Sequence, residues 1–98
     1  MIRSVIVRRE AEQDIQSAHG FHEQAQLGLG YQFITRVRQA LERIEKNPEL
    51  YGIIWQDVRA ARLKQFRYVV YYVLFADRVE ILAVTHASRD ASSWQPRA

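Results

Sequence analysis

The stretch YVVYYVLF, residues 68–75, consists only of aliphatic and aromatic residues. Such residues favour strands, and the side chains of a strand alternate between the two faces of its sheet. A strand without a polar position is therefore expected to be buried on both faces, like the central strand of a sheet. The run is far shorter than the roughly 20 residues of a membrane-spanning helix, so we expect no association with a membrane.

Two further strands are predicted on either side of this one. Residues 58–64, VRAARLK, alternate weakly, which places Arg62 and Lys64 together on one face. The polar residues 76–78 predict a hairpin turn, and the β-branched residues that follow predict a last strand at 78–86.

A strand and two helices are predicted upstream. The short β-branched segment at residues 2–8 predicts a first strand. Apolar residues then recur every three or four positions over 10–26 and again over 30–47, which is typical of two amphipathic helices. Gly28 favours a left-handed turn that ends a helix, and Pro48 disfavours helical geometry at the residue before it. The short link predicts an antiparallel helical hairpin.

The predicted order is strand, helix, helix and three strands, with residues 48–57 as a connector and 87–98 as a tail. A run of helices followed by a run of strands indicates an α+β fold. We expect the helical hairpin to pack on one face of a small, twisted, mainly antiparallel sheet. At 98 residues the chain is expected to form one domain.

Charge is distributed unevenly along the chain. The formal net charge is +3, and there is no cysteine, which excludes disulfides and cysteine-ligated zinc. Residues 1–57 carry seven Lys/Arg and eight Asp/Glu, whereas residues 58–98 carry seven Lys/Arg and three Asp/Glu. The excess is concentrated in VRAARLKQFR, residues 58–67, which contains no acid. The lack of cysteine and of a signal-peptide pattern favours a cytoplasmic protein.

Two pairs of residues have both a functional and a structural interpretation. His19 and His22 lie three residues apart on a predicted helix, but no third metal ligand is evident, so we expect no metal site. Arg62 and Lys64 suit a phosphate or an acidic partner. Alternatively, they are solvated charges that protect a sheet edge from aggregation.

The end of the last predicted strand, LAVTHASRD at residues 82–90, contains a third candidate. By strand period, His86 shares a face with Val84, Leu82 and Glu80. A histidine there can act as a general acid or base near neutral pH, or it can be a hydrogen-bonded structural residue. The residue pattern leaves both interpretations open.

Several segments resemble those of one protein family when their order is considered. They are AEQDI at 11–15, GLGYQF at 28–33, ALERIEKNPELYG at 40–52, the three-strand region at 58–90, and Trp94, Pro96 and Arg97 in the tail. None is specific by itself, but together they resemble the ParE/RelE superfamily, the toxins of bacterial type II toxin–antitoxin modules. The resemblance implies a helical hairpin on an antiparallel sheet. It also implies a cognate antitoxin that neutralises the toxin. Operator DNA is expected to be contacted by the antitoxin and not by the toxin itself.

Within this superfamily the resemblance implies two alternative activities. ParE-like members inhibit DNA gyrase without catalysis of their own, and RelE-like members cut mRNA on the ribosome. The ending H-x-x-R-D at 86–90 and the lack of a tyrosine after Tyr72 are closer to the ParE branch. RNA cleavage needs cations and proton-transferring groups at the scissile phosphate. Under that alternative the candidates are Arg62, Lys64, Arg67, His86 and Arg89.

Contact with the antitoxin or the target is expected at an apolar and a basic surface. The apolar candidates on the second helix are Phe33, Val37 and Leu41. The basic candidates are Arg59, Arg62 and Lys64. They would complement the acidic C-terminal segments that antitoxins of this superfamily commonly carry. No cofactor is expected.

Overall fold

The computed structural model describes residues 4–98. In chain order the elements are β1 (Ser4–Val7), α1 (Arg9–Ala25), α2 (Leu29–Lys46), β2 (Ile53–Trp55), β3 (Val58–Arg62), β4 (Tyr68–Leu74) and β5 (Arg78–His86). Two 3-10 turns follow, at Ala91–Ser93 and Gln95–Arg97. The predicted α+β class is confirmed. Residues 2 and 3 of the predicted first strand lie outside the described residues.

The strand β4 lies at the centre of a five-stranded sheet with the order β1-β5-β4-β3-β2. It pairs antiparallel with both β3 and β5. Its side chains alternate between two buried layers, with Val70 and Tyr72 towards the helices and Val69 and Tyr71 towards the other face. β1 pairs in parallel with β5, so the sheet is mainly antiparallel, as expected.

The connector predicted at residues 48–57 contains the strand β2, so that interpretation is wrong. β2 pairs antiparallel with β3, placing Ile53 opposite Arg59, and the turn between them holds Gln56 at φ 49°. Three residues are too few to show a period of two, and the pairing is a tertiary contact. β2 is an edge strand on which Ile53 and Ile54 are more than half exposed.

The helical hairpin packs on one face of the sheet. Phe33, Ile44 and Tyr72 are fully buried in this layer, which we call the helix-facing layer. The Tyr72 hydroxyl donates a hydrogen bond of 2.6 Å to the carbonyl of Pro48. Burial raises the pKa of Tyr72 to about 12, so this hydroxyl stays a donor at ordinary pH. The bond fastens the segment after α2 to the central strand.

The predicted tail folds over the opposite face of the sheet and forms the tail-covered layer. Trp94 is 5% exposed and stacks on Tyr71, with ring centroids 4.4 Å apart and planes 13° apart. The ring of Trp55 meets the same indole edge to face at 5.8 Å. Both faces of the sheet therefore carry a packed layer, one against the helices and the other against Ala91 and Trp94 of the tail.

The link between the helices depends on two glycines. Gly28 has φ 87°, which confirms the predicted left-handed conformation, although α1 already ends at Ala25 and Gly28 is the N-cap of α2. The Glu23 carboxylate accepts hydrogen bonds of 2.9 Å from the N–H groups of both Gly28 and Gly30. These backbone hydrogen bonds lower the pKa of Glu23. Gly30 lies so close to α1 that a Cβ there would be 2.8 Å from the carbonyl oxygen of His19.

Candidate functional site

A bulge in β5 sets the direction in which His86 points. Leu82 has no partner residue on β4, and both Leu82 and Ala83 belong to the tail-covered layer. Val84 then belongs to the helix-facing layer, and His86 follows in phase with it. The prediction that His86 shares a face with Leu82 and Glu80 is wrong, because one extra residue reverses every side chain beyond it.

The imidazole of His86 is held at one nitrogen. Its Nδ1 accepts a hydrogen bond of 3.1 Å from the Ser88 N–H, and the Ser88 hydroxyl lies 2.7 Å from the same nitrogen. An accepting Nδ1 assigns the proton of the neutral ring to Nε2. The ring also meets Tyr68 edge to face, with centroids 5.3 Å apart. Within residues 4–98, Nε2 has no hydrogen-bond partner, so it is the nitrogen that remains for a ligand.

His86 lines a groove of about 280 Å³ between α1 and the end of β5. Ser17, Tyr68 and Arg89 contribute polar groups to the same groove. Phe21 adds an apolar rim, since 68% of it is exposed. Burial raises the pKa of Tyr68, and the positive charge of Arg89 partly opposes this. The groove therefore presents an imidazole, a neutral phenol and a cation. The carboxylate of Asp14 also lines the groove, but it is paired with Arg97, so the other three groups together suit an anionic ligand.

Asp14 and Arg97 hold the bulge from the outer edge of β5. Arg97 Nη1 donates hydrogen bonds of 2.7 Å to Asp14 Oδ2 and 3.1 Å to the carbonyl of Leu82. The N–H of Val84 donates to the same Asp14 oxygen at 3.0 Å. Sequence reasoning missed this pair, which is separated by 83 positions. The likeness of the tail to the family was the signal that made Arg97 notable.

The other predicted site cations lie on different surfaces. Arg62 ends β3, and burial raises the pKa of Tyr71 while the positive charge of Arg62 partly opposes this. Lys64 lies beyond the strand and lines a second groove beside α2. The prediction that these two share a face is wrong, because the strand ends between them. Arg67 is exposed before β4, and its carbonyl accepts a hydrogen bond of 2.7 Å from the Ala87 N–H.

The apolar candidates on α2 belong mainly to the core. Phe33 is 0% and Val37 4% exposed, whereas Leu41 is half-buried. Phe33 and Val37 pack against the sheet, because the apolar stripe of α2 faces it. Partner contact in the grooves beside these residues stays a prediction. Arg59 is half-buried, and its Nη1 donates a hydrogen bond of 2.7 Å to the carbonyl of Tyr51.

One member of the histidine pair on α1, His22, has structural contacts. His22 Nδ1 donates a hydrogen bond of 2.7 Å to the carbonyl of Ala18, and the ring stacks on Phe33 at 5.0 Å. Within residues 4–98, no three side chains of metal-binding type come together as a candidate metal site. None of the helices in this range combines the length and the apolar character needed to cross a membrane.

The sequence of the chain is similar to that of a known protein family over most of its length. Residues 5–91 match the family model described as "ParE toxin of type II toxin-antitoxin system, parDE". This places the protein in the class of type II toxins. Because the match spans most of the chain, the protein belongs to the ParE toxin family.

One solved structure with the same fold is described as "Chromosomal ParDE TA system from P. aeruginosa". The TM-score is 0.64 at 13% sequence identity, and the likeness covers 87% of this chain and 96% of that chain. At this identity the comparison shows the fold alone. No curated protein sequence matches the chain significantly.

Proposed function

We propose that this protein inhibits DNA gyrase by binding to it, and that a cognate antitoxin neutralises it. The observation that carries the proposal is the match of residues 5–91 to the ParE toxin model. ParE-like toxins act on gyrase, as the sequence resemblance implies. The chain's fold, shared with a solved ParDE system, is consistent with this assignment.

The positions of the candidate cations support a binding role over a nuclease role. A nuclease site needs several groups that converge on one phosphate. His86 and Arg89 line the same groove, but Arg62 lies with the tail-covered layer and Lys64 beside α2. Contact with a large protein target does not require such convergence, because binding energy is collected over an extended surface.

The test is a gyrase assay with the purified protein. We expect it to stabilise the covalently cleaved gyrase–DNA complex, and we expect His86→Ala to retain this effect because no proton transfer is involved. In cells, expression should induce DNA-damage signalling while translation continues. Failure to stabilise cleaved complexes at saturating protein, together with mRNA cleavage in a translating extract, would overturn the proposal.

The groove at the end of β5 favours one alternative function, ribosome-dependent mRNA cleavage. His86 Nε2 lies free of partners within residues 4–98, beside Tyr68 and Arg89. If the groove is a nuclease site, His86→Ala and Arg89→Ala should each reduce mRNA cleavage by about 10²-fold, as the loss of a transition-state donor does. Arg38→Ala, on the exposed side of α2, is the control and should leave cleavage unchanged.

We propose that the antitoxin docks an acidic segment at the β2 edge of the sheet. An edge strand offers free backbone hydrogen-bonding groups to an extended peptide, and Ile53 and Ile54 expose apolar surface there. Arg62, which ends the neighbouring β3, and Lys64, which follows it beside α2, are exposed on different surfaces, and each carries charge that complements an acidic partner. The proposed docking surface therefore consists of exposed residues, whereas Phe33 and Val37 are buried.

The antitoxin gene, usually encoded beside the toxin gene, supplies the partner for the test. Arg62→Ala combined with Lys64→Ala should weaken the complex at moderate salt, mainly through slower association. Arg9→Ala with Arg38→Ala is the matched control, since both arginines are exposed on the helices. Equal antitoxin affinities of the unsubstituted protein and the two double variants would contradict a role for the basic residues.

A further inference from the structure

A second groove, of about 310 Å³, runs along one flank of α2, between the helix and Lys64. Its lining includes both lysines of the chain, Lys46 and Lys64, together with Arg36 and Arg43. On α2 the lining positions 36, 39, 43 and 46 recur every three or four residues, so they form one continuous stripe. Ten residues of helix rise about 15 Å, so the stripe is long enough to follow an extended ligand.

The two arginines of this groove are held by neutral acceptors. Arg36 donates from Nε to Gln65 Oε1 at 3.0 Å and from Nη1 to Gln39 Oε1 at 3.1 Å. Arg43 donates from Nε to the Tyr51 hydroxyl at 3.0 Å. These contacts orient the guanidinium groups without neutralising them, because no acceptor carries a charge.

Other arginines of the chain form ion pairs, unlike the arginines of the α2 groove. Arg8, Arg78 and Arg97 each pair with a carboxylate within 2.8 Å. Within residues 4–98, by contrast, none of the four cations of the α2 groove takes part in an ion pair. Glu42 is the one acid in the lining, so positive charge is in excess there.

We propose that the α2 groove binds the phosphodiester backbone of a nucleic acid. Oriented guanidinium groups and lysines are the side chains that contact phosphates, and their binding is largely independent of sequence. Every lining residue is charged or an amide, whereas a docked peptide is anchored by apolar side chains in pockets. A polyanion therefore fits the groove better than a peptide does. The proposal goes beyond gyrase binding and does not depend on it.

The test measures binding of the full chain to a short labelled DNA duplex and to a single-stranded RNA of equal length, over a range of salt. The variant is Lys46→Gln with Lys64→Gln, since neither lysine side chain makes a hydrogen bond or an ion pair within residues 4–98. Arg9→Gln with Arg38→Gln removes the same net charge from exposed positions outside the groove. Thermal unfolding checks that all three proteins are folded.

We expect the lysine variant to lose about tenfold in affinity and about 1.8 from the slope of log K against log salt for duplex DNA, or about 1.4 for single-stranded RNA. The control should change both quantities little. Whichever nucleic acid binds more tightly identifies the source of the phosphodiester. Equal losses in both variants would overturn the proposal, as would unchanged binding in the lysine variant. Tighter binding of polyglutamate than of either nucleic acid would overturn it in favour of an acidic protein.

Discussion

Asp14 and Arg97 form an ion pair of 2.7 Å that joins the first helix to the last turn of the chain. The same two side chains satisfy the Val84 N–H and the Leu82 carbonyl. β1 pairs with β5 only as far as Ile81. Beyond Ile81, the Asp14–Arg97 ion pair supplies the hydrogen-bonding partners that a neighbouring strand would otherwise supply. It thus stabilises the bulge that directs His86 into the groove.

Removing the Asp14 carboxylate should therefore destabilise the protein. Asp14→Ala is expected to lower the free energy of unfolding by about 2 kcal/mol, because a half-buried N–H and a guanidinium lose their acceptor. Urea denaturation measures the change, and Glu12→Ala, exposed on the same helix, is the control. A cost equal to that of the control would show that the pair is not structural. In a double-mutant cycle, Asp14→Ala and Arg97→Ala should be strongly non-additive.

Trp94 should be the most important residue of the tail for stability. Trp94→Ala is expected to lower the free energy of unfolding by about 3–5 kcal/mol, since it removes a buried indole from the Tyr71 ring. Trp94→Phe should retain much of the stacking and unfold at a higher temperature than the alanine variant. Gln95→Ala is the control within the same segment. A midpoint of unfolding unchanged in Trp94→Ala would contradict the packing of the tail on the sheet.

Stability should fall at acid pH. Backbone hydrogen bonds from Gly28 and Gly30 lower the pKa of Glu23, and hydrogen bonds from Arg78 and Arg8 lower the pKa of Glu80, both from 4.5. A lowered native pKa means that the unfolded chain binds protons first, so this stability is present above about pH 4.5 and is lost as pH falls through the native pKa values.

The acid effect can be assigned with one substitution. Glu23→Gln should lower the melting temperature near neutral pH, and the difference from the unsubstituted protein should shrink as the medium is acidified. Glu49→Gln, at an exposed position after α2, is the control and should give a curve parallel to that of the unsubstituted protein. A Glu23→Gln deficit that stays constant with pH would contradict the linkage.

The two glycines Gly30 and Gly20 should respond oppositely to alanine. At Gly30 a Cβ would lie 2.8 Å from the backbone oxygen of His19, so Gly30→Ala should cost about 1–3 kcal/mol by overpacking the hairpin. At Gly20, inside α1, a Cβ meets no atom within 4 Å. Gly20→Ala should therefore stabilise the helix by about 0.5–1 kcal/mol. Thermal unfolding distinguishes them, and the same sign for both would refute the close approach of α1 and α2.

Much of the fold was predictable because it depends on local patterns. The helical stripes and the double-sided burial of residues 68–75 follow from the spacing of apolar residues. The Gly28 turn follows from the conformational freedom of glycine. The candidate site was predictable only in part. His86 and Arg89 were identified from one short segment, whereas Asp14 reaches the site through a contact between distant parts of the chain.

The sequence by itself determined the order of the two helices and of four of the five strands, the central position of β4 and the family to which the chain belongs. Tertiary structure alone decided that residues 53–55 pair as an edge strand, that the tail covers the second face, and which way His86 points. The physical reason is the same in each case. A bulge, an edge pairing or an ion pair across 83 positions depends on which distant groups meet, and no local period of residues encodes that meeting.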